Sequence, residues 1–274
     1  MSSNLLTSFL TGTLLSVGLA MTGIGQAMAV TLQGTATVTA DNHYGLFYGD
    51  KNGNSLNFVG RNELGSKGSE GLYNWSRPET WNFQVDSKDY LYMVVWDDQS
   101  VDEMWVGQFA FSNGSTLLSK ATDWEFIISS NANPFSRPVP LAERDQGFLA
   151  PGDRFEGNVP KNGELGGEIQ TANAADSWVD SLTRGNNVSG GGRPWGQIAG
   201  ISANAQFLNT TTSGSPARGT AQNNKYTIFR TRNTVGELIG VTEPATVPEP
   251  NFMFGLLAFG AVSAGSFMKR KSKV

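Results

Sequence analysis

Cysteine is absent from the 274 residues, and histidine occurs once, as His43. The first absence removes disulfides as a source of stability, and both together exclude zinc fingers and multi-histidine zinc sites. A serine nucleophile needs a base, and no G-x-S-x-G elbow accompanies the one imidazole, so a serine hydrolase is not expected. Charge is also sparse, at 16% of residues. Between residues 30 and 247 there are 16 basic against 23 acidic side chains and no basic cluster. Nucleic acid, whose phosphates demand Lys and Arg, is therefore not an expected partner. No long segment of helical period stands out.

The chain is organised around its last 28 residues, which read VPEP, then NFMFGLLAFGAVSAGSFM, then KRKSKV. Val247, Pro248, Glu249 and Pro250 form a rigid turn signal, because the two prolines fix φ and remove backbone donors. Phe252 to Met268 then runs without a charge, enough for a helix of about 25 Å, near the short end of what spans a bilayer. Lys269, Arg270, Lys271 and Lys273 follow and are expected to stop transfer on the cytoplasmic side. At the other end Leu5 to Ala20 is apolar, and Ala27-Met28-Ala29 fits the small-residue pattern of signal peptidase, with cleavage after Ala29. The first 29 residues lack Lys and Arg, so the usual basic n-region is missing.

In that order, short motif, apolar helix and basic end, residues 247 to 274 resemble the PEP-CTERM sorting tail of Gram-negative bacteria and cyanobacteria. The resemblance implies recognition by an exosortase, a membrane protease, and delivery to the cell surface or beyond. It implies nothing about activity. The expected division is a signal peptide at 1–29, a domain at 30–240, a linker with the motif at 241–250, and a transmembrane sorting tail at 251–274.

The domain reads as all-β, a β-sandwich with long irregular loops. With no disulfide its stability must come from a core, and its length is sufficient for one. Thr35, Thr37 and Thr39 alternate with Ala36, Val38 and Ala40; after Asp41-Asn42 the pattern resumes at Tyr44, Leu46 and Tyr48, predicting two strands joined at the polar pair. Asn52-Gly53 predicts a hairpin, with Phe58 and Val59 opening the return strand. Trp81, Phe83 and Val85 predict a half-buried strand, and Tyr90 to Trp96 a central one covered on both faces. Trp105 to Phe111, Trp124 to Ile128, Ile198 to Phe207 and Lys225 to Arg232 supply further strands. Residues 131–192 read as an irregular insertion in which only Ala172 to Leu182 could form a short helix. Residues 35–111 resemble the galactose-binding-like jelly-roll modules of bacterial surface proteins, through TVTADNHYGLFYGD and DYLYMVVWDD. That likeness implies loops that bind sugar and sometimes a structural calcium.

Candidate site residues follow from where oxygens and indoles gather. Asp97, Asp98, Asp102 and Glu103 crowd the loop after the most apolar strand, and hard cations take clustered oxygens; Asp41 and Asn42 end a strand in the same scheme and could add to them. Calcium is the cofactor this suggests. The GDKNGNS loop mimics the start of a calcium loop, but Ser55 replaces the glycine and Arg61 the bidentate Glu, so it reads first as a turn. Trp81, Trp96 and Trp124 belong to strand patterns and should be core, whereas Trp75, Arg77 and Trp195 lie in loops and are candidates for stacking on sugar. His43 reads as an exposed strand or turn residue. The expected function is non-catalytic binding of polysaccharide or another envelope component by an exported surface or extracellular-matrix protein. The alternative is an envelope hydrolase working through Asp97, Asp98 or Asp102.

Overall fold

A computed structural model describes residues 29–41, 43–61, 76–96, 104–132, 160, 162–188, 196–210 and 225–241. All of these belong to one compact unit, Ala29–Glu243. Two antiparallel sheets pack as a sandwich. The first runs β10 (Leu182–Asn186), β11 (Gln206–Asn209), β6 (Met104–Phe111), β1 (Thr31–Asp41), β4 (Glu79–Asp86), with β7 (Thr116–Leu118) also pairing β6. The second runs β3 (Leu56–Arg61), β2 (His43–Gly49), β5 (Tyr90–Trp96), β12 (Lys225–Thr231), β8 (Trp124–Ala132), β9 (Val179–Asp180).

Alternation decides which face each strand buries. In β4, Trp81, Phe83 and Val85 are buried and Thr80, Asn82, Gln84 and Asp86 exposed. Their partners across the sandwich include Leu46, Met93, Val95, Phe126 and Phe229. Trp105 meets Trp124 edge to face at 4.7 Å in this layer, and Phe229 stands 5.9 Å from Trp105. Truncating such a buried aromatic typically costs about 3–5 kcal/mol. Trp81, Trp96 and Trp124 are all buried, as their strand patterns predict.

β5 is buried on both faces because the outer side of the second sheet is covered. Its cover is α1 (Asn162–Ala175), whose Leu165, Ile169 and Ala172 pack with Tyr92, Val94, Trp96, Tyr226 and Ile228. This corrects the reading of residues 131–192. The helix spans 162–175 rather than beginning at Ala172, and Val179–Asp180 and Leu182–Asn186 are strands. Three glycines make NGELGGEIQTANAA a weak helix former, so packing against the sheet rather than propensity holds it.

Two other expectations change. β1 and β2 exist as read, but they lie in different sheets, so the Asp41-Asn42 pair marks a crossing. The strand expected at Ile198 to Phe207 shortens to Gln206–Asn209. Ahead of it, the buried Asn187 amide accepts from Ile198 N at 2.6 Å and donates to the carbonyls of Ile198 and Ile201 at 2.9 and 2.8 Å, which holds that stretch in turns. A short helix, α2 (Val235–Ile239), follows β12 and is closed by a Thr234–Glu237 capping box. Among the described residues, no helix is long and apolar enough to cross a membrane.

Candidate functional site

The register brings six strand ends to one rim of the sandwich. His43 pairs with Trp96, Gly45 with Arg61, Val38 with Glu79, and Asp41 with Met104. These ends carry a concentration of buried polar side chains: Asp41, His43, Arg61 and Glu79 are all under a tenth exposed. Buried charge is costly unless it is paired and hydrogen-bonded. Part of that satisfaction is a relay in which Trp81 Nε1 donates to Tyr44 Oη at 2.7 Å and Tyr44 Oη donates to Glu79 Oε2 at 3.2 Å.

His43 is not the exposed turn residue that its polar neighbours suggest. It is 2% exposed and lies flat against Trp96, ring centroids 5.5 Å apart and planes 9° from parallel. It is the first residue of β2 and pairs with Trp96, the last residue of β5. Burial, reinforced by the Arg61 guanidinium, pushes its pKa well below the usual imidazole value, so it is neutral near pH 7. Asp41 shares the rim, but Asn42, Asp97, Asp98, Asp102 and Glu103 lie outside the described residues. Among the described residues, no group of three His, Asp or Glu side chains is placed to hold a metal ion.

The GDKNGNS loop is a hairpin turn. Gly53 takes φ +69° and its N–H donates to Asp50 O at 3.0 Å. The Asp50 carboxylate is engaged by the turn itself, accepting from Asn52 N at 2.8 Å and from Ser55 N and Oγ at 2.7 Å each. Burial alone would raise its pKa, but the hydrogen bonds from Ser55, Asn52 and Asn54 outweigh this and hold it below the ordinary carboxylate value.

The sugar-stacking candidates divide. Arg77 is exposed in the turn before β4, while Trp75 and Trp195 lie outside the described residues, as do Val247, Pro248, Glu249, Pro250, Ala27, Lys269, Arg270, Lys271 and Lys273. Ala29 opens the described chain.

A second polar centre, on the covered face of the second sheet, was not anticipated. Arg230 lies 3% exposed beneath α1, ion-paired to Glu125 at 2.5 Å, with its guanidinium carbon 3.8 Å from the Trp178 ring centroid. Arg230 Nη1 also donates to Lys51 O at 3.0 Å and to Asn173 Oδ1 at 2.9 Å. These contacts tie β12, β8, the hairpin tip and α1 together. A signal was available: Tyr226, Ile228 and Arg230 alternate on one face, and a charge on an apolar face requires a partner. No family model matches the chain, and neither the curated proteins nor the solved structures yield a match.

Proposed function

We propose that this is an exported bacterial surface or extracellular-matrix protein, sorted by an exosortase through Val247-Pro248-Glu249-Pro250 and the Lys269 to Lys273 stop, whose jelly-roll-like sandwich is a non-catalytic binding module for polysaccharide. The sorting half rests on the order of motif, apolar run and basic end. The non-catalytic half rests on one observation above all: the only imidazole of the chain is 2% exposed and held neutral by burial and Arg61, out of reach of a substrate. A hydrolase would have to work without an imidazole.

The test has two arms. Changing Pro248, Glu249 and Pro250 to alanine in the native host should leave the full-length chain in the membrane; an unchanged rate and place of processing would defeat the sorting reading. A glycan array with and without calcium should show binding without turnover. Release of reducing ends, lost on Asp98→Asn, would favour the hydrolase instead.

A further inference from the structure

Among the described residues, one edge of the first sheet is left open in a specific way. Among the described strands, β4 pairs only with β1. The phase of its backbone follows from two bonds. Ser87 N donates to Val30 O at 2.8 Å, so the odd-numbered residues of β4 direct their amides and carbonyls towards β1. Asp86 faces the other way: its N–H donates to Asp89 Oδ2 at 3.1 Å and its carbonyl accepts from Asp89 N at 2.9 Å. Thr80, Asn82 and Gln84 therefore present their backbone groups at the open edge. Asp86 is closed off by its own turn, and Pro78, with no N–H, ends the run on the other side.

Edge strands are usually blunted by lysine, proline or an inward charge. Between Pro78 and Asp86 there is no lysine and no further proline; the one inward charge, Glu79, stands at the first residue of the strand, before the open residues, and the exposed side chains Thr80, Asn82 and Gln84 are uncharged. We propose that this edge pairs antiparallel with the same edge of a second copy of the chain, about a two-fold axis at Asn82. Only this register uses all three open residues of both copies, placing Asn82 opposite Asn82 and Thr80 opposite Gln84.

Complementarity selects a second copy as the occupant. Asn82 carries both a donor and an acceptor, so it satisfies its own copy across the axis, where any charged residue would repel itself. Its Oδ1 already accepts from Thr35 Oγ1 at 2.9 Å, which fixes the side chain and leaves Nδ2 and the second lone pair of Oδ1 for the partner. Asp86 lies beyond the paired residues and opposes no acid. The contact is short compared with a standard interface of about 1,600 Å², so the dimer is weak and its population rises with concentration.

The absence of native cysteine makes the geometry directly measurable in the full chain. Residues facing each other in a hydrogen-bonded antiparallel pair have Cα atoms about 5.5 Å apart, within disulfide range. Under copper phenanthroline and dioxygen, Asn82→Cys should give a covalent dimer in several-fold higher yield than Ala174→Cys, an exposed position on α1. Equal yields, or none from Asn82→Cys, would overturn the proposal. Should the cysteine variant fold poorly, charge decides instead. Differently tagged Asn82→Lys and Asn82→Asp chains should co-purify with each other several-fold more than either does with itself, and no such preference would equally overturn it.

Discussion

Gly53 and Gly166 meet without side chains: a Cβ on Gly166 would stand 2.6 Å from the Gly53 carbonyl oxygen, and one on Gly53 would stand 3.0 Å from Gly166 Cα. The tip of the β2–β3 hairpin thus seats directly on the helix that covers the second sheet. Glycine costs α1 intrinsic stability and gains it close approach. Gly166→Ala should accordingly lower stability, by about 1–3 kcal/mol, as overpacking does. Gly167→Ala, one residue on, where an added Cβ would meet nothing within 4 Å, should raise stability by about 0.5–1 kcal/mol. Urea midpoints moving in the same direction for both would show that the helix is not seated this way.

Arg230 tests whether the covered face depends on charge or on shape. Lysine keeps the charge but loses the fork that reaches Glu125, Lys51 and Asn173 and the plane that stacks on Trp178. Arg230→Lys should cost about 2–3 kcal/mol. Glu125→Met alone, which strands the guanidinium, should cost more than Arg230→Met with Glu125→Met together. A double variant worse than the single one by denaturant titration would contradict the view that a stranded charge is the main penalty.

Much of the fold was legible, because period and turn chemistry are local. The alternation of Trp81 to Val85, the apolar run of β5 and the Asn52-Gly53 hairpin all appear as read. What was not legible depends on contacts distant in sequence. Nothing in Asp41-Asn42 says that the chain changes sheet there, and this change is what carries His43 into the interior. Likewise α1 is a helix because a sheet face needs a cover; its glycines argue locally for a loop. Of the expected site residues the structure describes Asp41, Arg77 and Ala29, whereas the buried centres it does show, around Glu79 and Arg230, are visible in sequence only as charges out of phase with their strand's polar face.

The Asp50 turn should respond to acid. Its folded pKa lies below the ordinary carboxylate value of about 3.9, so its contribution is present above that value and is lost as pH falls through the lower, folded one. Asp50→Asn should weaken the protein at pH 7 and narrow its loss between pH 5 and acid. Parallel profiles for the two proteins would show that the carboxylate hydrogen bonds to Ser55, Asn52 and Asn54 add nothing.

His43 acts in a higher window and with the same sign. An unfolded imidazole binds a proton below about pH 6.5, but the folded one, desolvated and beside Arg61, does not until far lower pH. The unfolded state therefore holds more protons in this range, and stability falls as pH drops from about 6.5 towards the folded pKa. The limit for one group is a tenfold change in the folding equilibrium per pH unit. No second histidine titrates there, and Asp89, whose pKa burial raises, acts with the opposite sign, so a decline between pH 6.5 and 5 is expected from this residue. His43→Phe keeps an aromatic ring against Trp96 and removes the proton site, so its stability should be nearly flat across the interval where the native protein declines. A native profile that is itself flat would mean that the rim opens readily enough to let the imidazole titrate in water, and a decline that survives His43→Phe would assign the slope to another group.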